Sequence, residues 1–203
     1  RAPAKVQSAL LECMQEKQVT LGDKSYDLKP PFLVLATQNP IDQEGTYPLP
    51  EAQLDRFMFN LWVDYPSLEE EIQVVKATTS SVKVNVNPIL SVDEILAFQQ
   101  LIRRVPIADN VLEYAVKLAV KTRKDSKDAP QISKEYLTWG AGPRASQYLV
   151  LGAKAHAALN GKYSPDIEDV KAVAMPILRH RVMRNYKAEA DGVSLEQIIE
   201  SLL

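Results

Sequence analysis

Two apolar runs in the first part of the chain predict buried β-strands. Residues 32–36 are apolar at every position, and residues 58–63 are interrupted only by Asn60. A strand that does not alternate apolar with polar residues is buried on both faces, which is typical of a parallel sheet covered by helices. Before them, residues 18–21 and 25–28 flank a Gly-Asp-Lys turn and predict a small hairpin.

Helical periodicity accounts for most of the remaining chain. It predicts a first helix ending near Lys17, a short helix over 50–57, and a helix at Ser67 whose capping box is completed by Glu70. Residues 80–91 have the composition of a linker. Amphipathic helices are predicted after it over 93–104, 107–124, 143–160, 166–184 and 194–202.

The change of pattern near residue 85 predicts two domains. We expect an α/β domain over residues 1–85 and an all-helical domain over residues 86–203. Two parallel strands do not make a stable doubly wound sheet. The remaining strands are therefore expected before Arg1, and the chain is expected to be the second half of a longer protein.

Composition narrows the class of protein. The chain has 203 residues, 46% hydrophobic and 25% charged, with a net charge of −2 and a pI of about 5.8. These values indicate a globular protein without a field that would attract nucleic acid or an anionic membrane. One cysteine and the absence of a membrane-length apolar stretch favour the cytoplasm. Two histidines and one cysteine exclude a zinc or transition-metal cluster, so no metal site is predicted.

Asn39 is the first residue whose position suggests chemistry. Pro40 biases it toward extended geometry at the carboxyl end of the first predicted strand, which is the edge where ligands bind in open α/β sheets. A turn residue that caps its own backbone is the alternative interpretation.

Two arginines stand at helix ends. Arg56 lies between apolar Leu54 and Phe57 near the end of the short helix, where a cation matched to the helix dipole and screened by Asp55 is the simpler interpretation. Arg144 follows Pro143 in the first turn of a helix, where its charge opposes the dipole by roughly 0.3–1 kcal/mol. A helix start with free N–H groups, a flexible glycine approach and an arginine is suited to an anion. The basic run Arg179, His180, Arg181 and Arg184 is interpreted first as a solvated or dipole-matched face, then as a subunit contact, and last as a nucleic-acid contact.

Three stretches, in order, resemble the MoxR family of AAA+ ATPases. They are RAPAKVQSALLECMQEKQVTL, FLVLATQNPIDQEGTYPLPEAQLDRF and GAGPRASQYL. The resemblance covers nearly the whole chain and weakens only between about residues 80 and 140. It implies the C-terminal portion of a P-loop NTPase αβα core followed by a helical lid.

The resemblance also implies roles for the three residues. Asn39 would be sensor 1, orienting the water that attacks the γ-phosphate. Arg56 would be the arginine finger, which reaches the nucleotide of a neighbouring subunit, and Arg144 would be sensor 2 on the lid. The family's phosphate-binding loop and acidic Mg²⁺-binding strand precede the position of Arg1. ATP and Mg²⁺ would therefore be bound mainly outside this chain, which alone should be inactive.

The resemblance implies a cytoplasmic ATPase that forms a homo-oligomeric ring, expected to be a hexamer. Such a chaperone would remodel client proteins, including proteins with von Willebrand A domains. A nucleic-acid motor is an alternative, because ring helicases share the same sensor and finger layout, although the acidic pI argues against it. A non-catalytic helical interaction module is a third possibility.

Overall fold

A computed structural model describes residues 4–38, 49–81 and 86–203. Its first part contains three helices and one hairpin. The helices are α1 (Ala4–Glu16), α2 (Glu51–Leu54) and α3 (Leu68–Thr78), and the antiparallel strands are β1 (Gln18–Leu21) and β2 (Lys24–Asp27). The predicted first helix and hairpin are confirmed. The predicted capping box at α3 is also present, with Ser67 and Glu70 each bonding the other's backbone.

The two buried strands predicted over residues 32–37 and 58–63 are not formed. The described residues of both segments have no regular secondary structure. Leu35 is 87% exposed and Val63 is 94% exposed. A strand needs a neighbour that accepts and donates its ladder hydrogen bonds, and in the described ranges each sheet consists of one antiparallel pair. The expectation of regular strands here was wrong for this chain on its own.

The second part of the chain is mainly helical, as predicted. Its helices are α4 (Val92–Arg104), α5 (Asp109–Lys121), α6 (Gln131–Tyr136), α7 (Pro143–Leu159), α8 (Ile167–Leu178), α9 (Tyr186–Ala190) and α10 (Leu195–Leu202). The strands β3 (Leu137–Trp139) and β4 (Met183–Arg184) form an antiparallel pair. The prediction missed α6, α9 and this pair. It also extended α8 to residue 184, whereas the chain leaves the helix after Leu178.

The core lies between α5, α7, α8 and α10. Helix α7 can approach α8 closely because Gly152 faces it: a Cβ at this position would lie 3.2 Å from Val173 Cγ2 and 3.3 Å from Ile177 Cδ1. Leu149 and Ile198 are fully buried in the same cluster. In contrast, neither α3 nor α4 contributes a buried residue. The packed body of this chain is therefore the helical part.

Candidate functional site

The approach to α7 is held by hydrogen bonds. The Ala141 N–H donates to Thr122 Oγ1 (2.8 Å), and Arg123 Nε donates to the Ala141 carbonyl (2.8 Å). Gly140 lies so close to the end of α5 that a Cβ would be 2.4 Å from the Thr122 carbonyl oxygen. The sequence predicted a flexible glycine approach, but the structure anchors it to α5. The start of α7 therefore has a defined position.

Arg144 lies in the first turn of α7. Gly142 is the N-cap, and no side chain caps this end of the helix. The Arg144 guanidinium forms an ion pair with the Asp55 carboxylate, through Nη1 and Oδ2. Both side chains remain partly exposed, at 36% and 27%. Asp55 thus compensates the charge that opposes the helix dipole, and it joins the helical part to the chain that follows α2.

Asp55 has a second arginine partner. Arg181 Nε donates to Asp55 Oδ1 at 2.9 Å, and the Arg181 side chain is only 1% exposed. Its Nη atoms donate to the carbonyl oxygens of residues 55, 57, 58 and 177. Burial lowers the pKa of Arg181, and the hydrogen bond and charge of Asp55 oppose that shift. An arginine side chain is effectively always protonated in a protein, so Arg181 is a buried cation.

Further contacts fix the backbone of residues 55–60, which carries several of the Arg181 partners. We call these residues the clamped segment. The Tyr148 hydroxyl donates to the Arg56 carbonyl (3.1 Å), and its ring lies 5.0 Å from the Arg181 guanidinium carbon. The Asn60 N–H donates to the Pro176 carbonyl near the end of α8 (2.8 Å). The clamped segment is therefore bonded to both α7 and α8.

His180 completes these contacts. Its Nε2 lies 3.0 Å from the Phe57 carbonyl oxygen. Burial, reinforced by the nearby Arg181 charge, lowers the pKa of His180 to about 4. The ring is consequently neutral at pH 7. Since a carbonyl can only accept, the proton must be on Nε2.

Arg56 forms no ion pair with Asp55, whose two ion pairs in the described structure are with Arg144 and Arg181. Its side chain borders a cavity of about 180 Å³ whose other lining residues are Met14, Phe32, Leu33, Val34, Phe57, Met58 and Tyr148. Its Nε and Nη1 are buried, and within the described part of the chain they have no hydrogen-bond partner. The simple interpretation, in which Asp55 screens Arg56, is therefore wrong. Asp55 pairs with Arg144 and Arg181 instead.

The structure thus brings two of the three predicted site residues to one place. Asp55 and Tyr148 connect Arg144 and Arg56, whereas Asn39 lies outside the described residues. Sequence reasoning missed Arg181, because it interpreted the basic run as a solvated face; that interpretation is wrong for Arg181. A signal was present: Arg181 continues the buried stripe of Val170, Ala174 and Ile177 at helical spacing.

A separate polar cluster lies at the other end of α7. His156 Nδ1 is 2.7 Å from Asp169 Oδ1, and Lys162 Nζ is 3.0 Å from Asp169 Oδ2. Burial favours a higher pKa for Asp169, but hydrogen bonds from the Asp166 backbone, His156 and Lys162 outweigh it and lower the pKa to about 2. This arrangement caps α8, with Asp166 as the N-cap residue. In the described ranges, no group of three potential metal-ligating side chains occurs.

Comparison with known proteins decides the family. Residues 1–59 match the ATPase family associated with various cellular activities (AAA), and residues 129–202 match the AAA lid domain. The chain is 40% identical over 208 residues to Chaperone MoxR1 of Mycobacterium tuberculosis. The chain belongs to the MoxR family of AAA+ ATPases. Protein MoxR of Paracoccus denitrificans is 27% identical over 199 residues, which cover 90% of this chain and 57% of that relative.

The crystal structure of a similar protein supports the fold described here. A candidate ATPase from Cytophaga hutchinsonii superposes with a TM-score of 0.92 at 46% identity, covering all of this chain and 62% of that protein. The chain covers 54% of the length of Chaperone MoxR1. The predicted fold class, the C-terminal portion of an AAA+ core followed by a helical lid, is confirmed. Among the described helices, none has the length and apolar character needed to cross a membrane.

Proposed function

We propose that this chain is part of a MoxR-type ATPase that couples ATP hydrolysis to the remodelling of partner proteins. The observation that carries the proposal is the pairing of Arg144, at the uncapped start of α7, with a single partly exposed carboxylate. A phosphate oxygen can replace a carboxylate oxygen as the partner of a guanidinium, with the same charge-assisted geometry. The first-turn N–H groups of α7 favour an anion at the same place.

These residues fit the phosphate end of a nucleotide. Arg144 would bind the phosphate groups and thereby draw the lid toward the nucleotide. ATP would supply the phosphoanhydride bond and Mg²⁺ would neutralise developing charge on the phosphates; both would be bound mainly by residues outside this chain. Asn39 would orient the attacking water, which is what phosphoryl transfer requires of a protein beyond charge stabilisation.

Arg56 is proposed as the arginine finger. Its guanidinium carries two buried N–H-bearing nitrogens that no described residue satisfies. Buried donors of this kind usually have a partner, and a neighbouring subunit's phosphate would provide one. An arginine finger accelerates hydrolysis by about 10³–10⁵-fold in GTPases. The role requires assembly, so we propose a homo-oligomeric ring, specifically a hexamer, acting in the cytoplasm.

The name of one relative supports the proposed class of partner. Chaperone MoxR1 is named for chaperone activity, and we propose that client proteins, including those with von Willebrand A domains, are the substrates of remodelling. A nucleic-acid motor gains no support from the described residues, because Arg181 of the basic run is buried against Asp55. An isolated chain of residues 1–203 is expected to be inactive.

A mixing experiment with the full-length protein tests this function. Arg56→Ala subunits should bind ATP but hydrolyse it slowly. Mixed with subunits that lack the phosphate-loop lysine but keep Arg56, they should regain part of their activity, because each variant supplies the group that the other lacks. Arg104→Ala is the matched control, since Arg104 is exposed at the end of α4. Absence of recovery in mixtures that co-assemble would refute a finger acting between subunits.

A further inference from the structure

We propose that Arg181 is a positioning residue that holds Arg56 in place for catalysis. The proposal rests on the proposed role of Arg56 as the arginine finger. None of the Arg181 hydrogen bonds in the described structure goes to the Arg56 side chain. It acts on the backbone on both sides of Arg56, and thereby determines where the Cα–Cβ bond of Arg56 points.

The hydrogen bonds of Arg181 use its full donor capacity. Nε donates to Asp55 Oδ1, Nη1 donates to the Met58 and Ile177 carbonyls, and Nη2 donates to the Asp55 and Phe57 carbonyls. A guanidinium has five N–H donors in a fixed planar fork, and each has a partner here. Three of these bonds go to backbone carbonyls of the clamped segment. The planar guanidinium of Arg181 therefore holds the backbone on both sides of Arg56, at residues 55, 57 and 58.

The burial of Arg181 makes this arrangement rigid. The side chain is 1% exposed and lies against the Tyr148 ring, whose hydroxyl bonds the Arg56 carbonyl itself. Because a buried cation needs its partners, the clamped segment cannot move away without leaving the charge uncompensated. The lid and the base of the finger should therefore move together.

Asp55 connects this clamp to the nucleotide-sensing arginine. Its two carboxylate oxygens are divided between Arg144 and Arg181. When Arg144 binds phosphate instead, Asp55 keeps its bond to the buried Arg181. The clamp can thus persist through the nucleotide cycle while Arg144 exchanges its partner.

Arg181→Lys in the full-length protein tests the proposal. Lysine keeps the positive charge but has three donors on a single nitrogen, so it cannot bracket residues 55, 57 and 58 together. We expect kcat to fall by about 10- to 100-fold, the scale of a misplacement of about 1 Å, with the Kd for a fluorescent ATP analogue nearly unchanged. Arg184→Lys is the control, since Arg184 belongs to the same basic run but bonds the Val193 carbonyl within the lid.

The diagnostic measurement is a double-mutant cycle. If Arg181 acts through Arg56, adding Arg181→Lys to Arg56→Ala should lower kcat no further, because the positioned group is already absent. Tyr148→Phe, which removes only the hydroxyl bond to the Arg56 carbonyl, should show a smaller loss with the same lack of additivity. If Arg181→Lys does not fold, Tyr148→Phe is used in the double-mutant cycle in its place.

The outcomes separate the two proposals. An additive loss in the cycle, or unchanged kcat in Arg181→Lys and Tyr148→Phe while Arg56→Ala is slow, overturns the positioning role alone. If Arg56→Ala is itself as active as the wild type, the finger role fails, and the positioning role fails with it. Thermal unfolding of each variant, compared with Arg184→Lys, shows whether a loss of kcat merely follows from loss of structure.

Discussion

Replacing Gly140 with alanine should both destabilise the protein and displace Arg144. A Cβ at this position would lie 2.4 Å from the Thr122 carbonyl oxygen, 2.6 Å from the Thr122 carbonyl carbon and 2.8 Å from Arg123 Cα. All three are backbone atoms at the end of α5, so none can rotate away. The chain must move, and its movement lengthens the two hydrogen bonds that anchor Ala141.

The size of the effect follows from these contacts. Overpacking of a buried site costs about 1–3 kcal/mol, and weakening a hydrogen bond costs about 0.5–1.5 kcal/mol. Alanine also lowers the conformational entropy of the unfolded chain, which offsets about 0.4–1 kcal/mol of this loss of stability. We therefore expect Gly140→Ala to lose roughly 2–3 kcal/mol, which for 150–250 residues lowers the Tm by about 4–12 °C. ATP affinity should fall as well, because α7 begins three residues later.

Gly142→Ala provides the matched control. Gly142 has ordinary extended geometry (φ −79°, ψ 180°), and no atom lies within 4 Å of its built Cβ. Its small N-cap penalty and the entropic gain from alanine oppose each other, so the net change should be within about 0.5 kcal/mol. Thermal unfolding and titration with a fluorescent nucleotide measure both variants. Equal unfolding temperatures for Gly140→Ala and Gly142→Ala would refute the reasoning.

Three other predictions concern single groups. The pKa of His180 is about 4 in the folded protein, against an ordinary value of 6.5. Between these pH values the unfolded state therefore binds more protons than the folded state. The free energy of unfolding should fall on the order of 2 kcal/mol as the pH drops from about 6.5 to 4, after allowance for partial exposure. Denaturant titrations should show this slope reduced in His180→Gln. The ionised Asp169 carboxylate, whose pKa is lowered to about 2, should stabilise the protein fully above the ordinary aspartate pKa of 3.8. This contribution to the free energy of unfolding should be lost as the pH falls through 2. Asp169→Asn should therefore be less stable at pH 7 and should lack this pH dependence in the same titrations. In the full-length protein, Asn39→Ala should keep its ATP affinity while kcat falls, and a collapse of affinity measured by calorimetry would contradict the sensor role.

The helical part was predictable because its signals are local. Periodicity, Pro143 at the start of α7 and the capping residues depend on neighbours within one or two turns. The prediction failed where the partner is distant in sequence. The two apolar runs near residues 32 and 60 have strand composition, but no described strand lies beside either of them. The apolar composition of a segment indicates that a strand formed by it would be buried. Whether the strand forms depends on a second segment that completes its backbone hydrogen bonds.

The candidate site shows the same division. Arg56 and Arg144 were identified through motifs, but their connection was not, because Asp55 and Arg181 are separated by 126 positions. Charge counting assigned Arg181 to solvent, whereas its place on the stripe after Ile177 indicated burial. Asp55 was assigned to its sequence neighbour Arg56. A pairing across α7 and α8 can be recognised only when the helices are packed.

The clamp also determines how these proteins can be divided or recombined. A boundary near residue 85 follows the change in composition, but the clamped segment before it supplies the counter-ion of a buried cation in the lid. Removing one partner of a buried ion pair costs about 3–5 kcal/mol, a large share of the roughly 5–15 kcal/mol that stabilises a domain. A lid exchanged between two relatives should therefore remain stable only when residues 55–60 are exchanged with it.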